Sequence, residues 1–343
     1  MSAPTGRLAS LRSRASQAFR HPEAMPTLST GVEPPLLDEQ TLARLRRLSL
    51  SAGRARTEGL AGEHRSRRRG SSPEFADFKP YSQGDDFRRI DWNTYARLGG
   101  LFVRLSEVTT ELPVHILLDS SASMDWGSDP RGPTKFAAAQ RLTAALACIA
   151  LWSFDRLTVV PFADGLGTPF GPVQGRTQVT RALHYLQHLE PQGGTALAPV
   201  ISTYARARKR PGLMLLVSDL LSGEPDDLQL ALHDLRGRGW QTAVLHVVDE
   251  AEIDPTATMA WLRDDPAGAG GPSLELIDRE SGEILRMTIE QDVVDRYSSA
   301  VTAWLTGLEN AVSAEGAAYA RLPAAWDLGD RTIALLYEQG VLA

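Results

Sequence analysis

From Leu112 onward the chain alternates short apolar runs with longer stretches of helical period, and that alternation leaves few folds open. The apolar runs are Val114–Leu118, Leu157–Phe162, Leu213–Val217 and Gln241–Val248. Between and after them lie Thr134–Trp152, Thr177–Leu189, Ala196–Arg208 and Asp226–Arg236, each spaced as a helix. A strand that is apolar at successive positions is buried on both faces, and parallel strands of that kind need helical crossovers to cover them. The spacing predicts an α/β fold built on a doubly wound, mostly parallel sheet of Rossmann type.

The flanks read differently. Residues 1–69 are expected to be a basic, partly disordered tail with one short helix, capped by Asp38 and running to about Leu50. Residues 70–111 form a segment dense in turn and charge residues, with a first strand at Leu101–Val108 and Trp92 and Tyr95 as packing anchors. Residues 112–250 hold the alternating pattern. Residues 251–343 are read as an addition packed on the same domain: a hairpin from Leu274–Ile277 and Ile284–Ile289, then helices Glu290–Ala314 and Asp330–Gln339.

Composition narrows the function classes. One cysteine in 343 residues, Cys148, excludes a disulfide scaffold and any cysteine-based metal cluster. No stretch reaches the roughly 18–20 apolar residues of a spanning helix; Ala137–Trp152 is interrupted by Gln140, Arg141 and Thr143. No apolar segment follows the early arginines, so no secretory signal is read and a cytoplasmic location is expected. The net charge of −6 hides an asymmetry: residues 1–70 carry 13 arginines against 6 acids, or +7, leaving −13 on the rest. Of 36 basic residues only Lys79, Lys135 and Lys209 are lysine, which is attributed here to codon bias.

The chemistry concentrates where apolar runs end. Val114–Leu118 leads into Asp119-Ser120-Ser121-Ala122-Ser123, a D-x-S-x-S sequence. Ligands of open α/β sheets bind beyond the carboxyl ends of the strands. A carboxylate and two hydroxyls at alternate positions there offer three oxygens to one point. Gly193-Gly194-Thr195, ahead of a helix, and Ser218-Asp219, after LMLLV, can reach the same rim. Asp119, Ser121, Ser123, Thr195 and Asp219 then form an oxygen set suited to Mg²⁺ or Mn²⁺, with only two charges and room for an external carboxylate.

At these residues the chain resembles a von Willebrand factor A-type domain over about Leu112 to Val248, with a complete metal-ion-dependent adhesion site. The resemblance implies that the five residues form the metal shell, the serines and threonine directly and the aspartates partly through water. Leu220 stands where many members of that class have glycine. The preceding block, Arg69-Gly70, Glu74-Phe75, Tyr81-x-x-Gly84-Asp85-Asp86-x-Arg88-Arg89-Ile90-Asp91-Trp92 and Ala96-Arg97, closely resembles the signature of the bacterial "domain of unknown function 58" family. That resemblance implies association with a MoxR-type AAA+ ATPase in the maturation or assembly of protein complexes, and no known reaction. Within the block, Arg88, Arg89, Asp91 and Arg97 are either a structural charge cluster or a partner-binding surface.

The expected function is therefore a non-enzymatic, metal-dependent interaction module whose partner, a MoxR-type ATPase or another protein, offers an Asp or Glu to the metal. A metal-assisted hydrolase on the same cation is the alternative, with Asp125 as the accessible candidate base. Nucleic-acid binding through Arg65, Arg67, Arg68 and Arg69 is a third, although no aromatic residue interleaves that run. No phosphate-binding loop and no nucleophile elbow is present. His184 and His188 share a helical face without a third ligand at helical spacing.

Overall fold

The computed structural model describes residues 17–18, 35–51, 75–82, 87, 90–106, 111–129, 131–254, 273–278, 284–288 and 291–343. Arg65, Arg67, Arg68 and Arg69, as well as Arg88 and Arg89, lie outside the described residues. The chain divides into two compact units, residues 56–111 and the remainder.

In the larger unit the predicted alternation is realised as β1 (Pro113–Asp119), α1 (Lys135–Trp152), β2 (Arg156–Phe162), β3 (Phe170–Gln174), α2 (Val179–Gln187), α3 (Leu197–Ala207), β4 (Leu213–Ser218), α4 (Pro225–Gly237) and β5 (Gln241–Val248). It continues through a four-residue helix, α5 (Glu250–Ile253), to α6 (Gln291–Ala314), β6 (Ala318–Pro323) and α7 (Asp330–Glu338). The six strands form one sheet in the order β6-β5-β4-β1-β2-β3. All neighbours are parallel except the β2–β3 edge pair. The winding direction reverses between β1 and β4, and such a reversal opens a crevice at the carboxyl ends of the two strands.

Burial follows from the apolar runs. Residues 114–119 of β1 and all of β4 are buried, because helices cover both faces. On one face Leu142, Leu146 and Ile149 of α1 meet Leu186 of α2, Leu336 of α7 and Leu45 of the helix Glu39–Leu45. On the other, Ile201 and Tyr204 of α3 pack with Leu232 of α4 and Leu308 and Val312 of α6. β1 and β4 approach so closely that a Cβ at Gly212 would lie 2.1 Å from the Pro113 carbonyl oxygen. Among the described residues no helix is long and apolar enough to cross a membrane.

Three local differences from the sequence reading have physical reasons. The first helix is capped by Asp38 as expected, its carboxylate accepting from Thr41 N, but it stops at Leu45; Leu50 instead bridges to Leu342. β3 contains Gly171 and Pro172, poor strand formers, and pairs because it sits at an edge. β6 draws the C-terminal region into the main sheet, so the sheet extends beyond residue 250. The hairpin is present as strands Ser273–Asp278 and Ile284–Thr288, with Gln17–Ala18 pairing to the first of them.

The smaller unit contains the antiparallel strands Phe75–Pro80 and Phe102–Ser106 and a helix, Trp92–Leu98, between them. Asp91 caps that helix, accepting from Asn93 N at 2.9 Å and Thr94 N at 3.0 Å. Gly99 closes it at φ +68°, in the left-handed region that favours glycine. Trp92 and Tyr95 are not packing anchors. They meet edge to face at 6.1 Å, and Trp92 is 62% exposed. Their spacing puts them on one face of a helix with no buried residue. Arg97 is exposed on its last turn.

Candidate metal centre at the carboxyl rim

Each of the three oxygen-bearing segments sits where a strand ends or a helix begins. Asp119 is the last residue of β1, and its side chain is fully buried. Its Oδ1 accepts from Ser121 N at 3.0 Å, and its Oδ2 accepts from Ser218 Oγ at 2.6 Å. The first bond turns the chain back after the strand; the second ties β1 to the end of β4. Ser121 and Ser123 are buried, with their hydroxyl oxygens 3.0 Å apart.

Backbone hydrogen bonds stitch the Gly193–Thr195 loop to this turn. Ala122 N donates to Gly193 O at 2.9 Å, and Gln192 N donates to Ser120 O at 2.7 Å. Gly193 takes φ +79°, and Asp164 Oδ2 accepts from Gly194 N at 3.1 Å. Thr195 follows, half-buried, ahead of α3. Asp219, 2% exposed, leaves the end of β4 and completes the set. The structure thus brings together the segments carrying Asp119, Ser121, Ser123, Thr195 and Asp219 at the reversal of strand order. Asp125 is exposed on the loop beyond them.

Burial dominates the electrostatics at the Asp119 end of the rim. Burial, and then the charge of Asp219, push the Asp119 carboxyl up to about 7, against the opposing hydrogen bonds from Ser218 and Ser121. The donor set is oxygen throughout, two carboxylates and three hydroxyls, which is the chemistry that hard divalent cations take. The residues present therefore fit such an ion. Among the described residues no group of three or more His, Cys, Asp or Glu side chains could hold a metal ion.

Sequence reasoning missed Lys135, Glu252, His246 and Tyr319. Lys135, the first residue of α1, is fully buried and donates at 2.7 Å to both Asp219 Oδ2 and Glu252 Oε1. Burial alone would lower its pKa, but the two carboxylates outweigh that and hold the ammonium above the ordinary lysine value. Burial pushes Glu252 up to about 7, despite Lys135. His246 Nε2 lies 2.9 Å from the Asp219 carbonyl oxygen, to which only a protonated nitrogen can donate; its Nδ1 then accepts from the Tyr319 hydroxyl at 2.7 Å. Leu220 adopts φ 55°, so the position after Asp219 keeps a glycine-like backbone while its side chain is buried in the core. One signal for Lys135 was available: it is one of three lysines in a chain that otherwise uses arginine, and its ammonium is more compact.

A cleft of about 690 Å³ opens beside the rim between α3 and α4. Thr195 lies in its wall, with Leu197, Leu230, Arg206 and Ser222, whose buried hydroxyl has no partner among the described residues.

Residues 77–304 match the family described as "Protein of unknown function DUF58", more than half of the chain, and the chain belongs to that family. It is 25% identical over 276 residues to the uncharacterized protein Rv1480 of Mycobacterium tuberculosis, covering 78% of this chain and 79% of that one. The same identity and coverage hold for the uncharacterized protein Mb1516 of Mycobacterium bovis. Among solved structures it is similar to the conserved hypothetical protein BatB from Bacteroides thetaiotaomicron, with 15% identity, 66% of this chain and 96% of that chain covered, and a TM-score of 0.37. Manganese-loaded TRAP protein of Plasmodium vivax matches with 15% identity, 47% and 65% coverage, and a TM-score of 0.30.

Proposed function

We propose that this chain is a metal-dependent protein-interaction module whose larger unit is of von Willebrand factor A type, and that it acts as an adaptor for a MoxR-type AAA+ ATPase. The observation that supports this reading is that the segments carrying these five oxygen-bearing residues meet at one rim. Their loops are stitched together by Ala122 N–Gly193 O and Ser218 Oγ–Asp119 Oδ2.

Ser121, Ser123 and Thr195 would hold an Mg²⁺ or Mn²⁺ ion through their hydroxyls, with Asp119 and Asp219 supplying negative charge. The ion, when bound, supplies a coordination position for an Asp or Glu of the partner. The cleft that begins at Thr195 offers apolar and charged groups to the segment flanking that carboxylate. The ATPase is the partner class implied by the family resemblance, and the oxygen set is what gives it a chemical means of docking.

Pull-down of the purified ATPase tests the reading. Capture is expected with Mg²⁺ or Mn²⁺ present, and is expected to disappear with chelator and in Asp119→Ala and Thr195→Ala. Equal capture under all four conditions overturns it.

A further inference from the structure

The interaction reading makes no use of Lys135. A lysine side chain without solvent exposure is costly, and removing either partner of a buried ion pair is costlier still. This one lies between two carboxylates, each 2.7 Å from its Nζ, and its own backbone N donates to Trp126 O at 2.8 Å. The three charges come from the start of α1, the end of β4 and the short helix α5.

Asp219 is therefore already engaged. Its Oδ2 accepts from the ammonium, and its Oδ1 accepts from Leu221 N at 3.2 Å. A divalent cation drawing on this carboxylate has to share it with a full positive charge. Glu252 works in the opposite sense, since its carboxylate offers the ammonium a second anion and weakens its hold on Asp219. The charges tally accordingly. Asp119, Asp219 and Glu252 carry three negative charges when ionised and Lys135 one positive, so a divalent ion brings the site to neutrality.

Building on the metal-site reading, we infer that Lys135 is an internal competitor for Asp219, with Glu252 as its counterweight, and that this pair sets the affinity of the rim for a divalent cation. Lys135 is a positioning residue: it acts on the ion through Asp219. The inference separates from a merely structural role by the signs it requires. Removing the ammonium leaves an over-anionic rim that binds the cation more tightly. Removing the Glu252 charge leaves Lys135 with Asp219 alone and weakens binding. If the triad only braced the fold, both changes would loosen the rim and weaken binding together.

The test is calorimetric titration of the full chain with Mn²⁺ and with Mg²⁺, in wild type, Lys135→Met and Glu252→Gln, with thermal unfolding recorded for each. Lys135→Met is expected to bind about tenfold tighter or more, and Glu252→Gln about tenfold weaker or more, since unit charges a few ångströms apart in partly dry surroundings interact at that level or above. If Lys135→Met is unfolded without metal, Mn²⁺ is expected to restore its native circular dichroism at or below the concentration that half-saturates wild type. Equal or weaker binding by folded Lys135→Met, or no recovery of the unfolded variant, overturns the inference and leaves the metal site standing. No binding by wild type or either variant at millimolar metal overturns the metal site and the inference with it. Binding by Lys135→Met alone supports both.

Discussion

The sheet buries two histidines, one near each end, and they are housed differently. His246 on β5 lies opposite Ser218 at the carboxyl rim, with both ring nitrogens engaged, by Asp219 O and the Tyr319 hydroxyl. His115, near the amino end of β1, reaches the Tyr204 hydroxyl through Nδ1 at 2.7 Å, while its Nε2 is buried with no partner among the described residues. Its ring is packed edge to face against Tyr204 and Trp240. Both rings are driven down to about 4, in each case chiefly by burial. At the rim every buried polar atom of the histidine holds another group in place. At the amino end one ring nitrogen meets the Tyr204 hydroxyl and the other is enclosed by the packing without a partner among the described residues.

The harshest way to break the comparison is Asp219→Ala, which leaves the fully buried Lys135 with Glu252 as its remaining ion-pair partner; a loss of about 3–5 kcal/mol is expected in urea unfolding. Acid comes next. A histidine whose folded pKa lies below its unfolded value contributes its full stability above about pH 6.5 and loses it as the unfolded chain takes up the proton. Between pH 6.5 and 4 the cost is about 3 kcal/mol for each histidine, at about 1.4 kcal/mol per unit. Comparing wild type with His115→Phe and His246→Phe over that range isolates each share, because the carboxyls common to all three proteins cancel. Each variant should lose the acid sensitivity of its own ring.

At neutral pH the two substitutions should part company. His246→Phe strands the Asp219 carbonyl and the Tyr319 hydroxyl, and is expected to cost about 1–3 kcal/mol. His115→Phe removes an Nε2 that was already unpartnered and an Nδ1 that meets the Tyr204 hydroxyl, which keeps its hydrogen bond with Arg208, so it is expected to cost less than His246→Phe, about 1 kcal/mol. Equal losses would mean that the rim is no better wired than the amino end. Leu220→Gly is expected to cost about 1–3 kcal/mol, because lost core packing of about 2–5 kcal/mol exceeds the relief of about 1–2 kcal/mol at a left-handed position.

What could be read in advance divides along the same line. β1 and β4 were legible because a strand covered on both faces is apolar at almost every position, with His115 the exception in β1, and Asp119 and Ser218-Asp219 mark where the strands end. The edge strands were not. β3 spends two of its five residues on Gly171 and Pro172, and β6 alternates polar and apolar residues as a half-covered strand does. Asp119, Ser121 and Ser123 announced themselves by spacing within one loop. Lys135 did not, since a lysine in the first turn of a helix ordinarily faces water. Its burial depends on Asp219, 84 residues away, and on Glu252, 117 residues away. Asp91 looked like one charge in a cluster, and its capping role emerges only once a helix starts at Trp92.

The prolines of the outermost strands have a consequence for life at high concentration. Pro172 sits within β3 and Pro323 ends β6, so each margin of the six-stranded sheet includes a residue with no N–H to offer another chain. Sheets grow into fibrils by adding strands at such margins, and here that growth meets a gap in the ladder on either side.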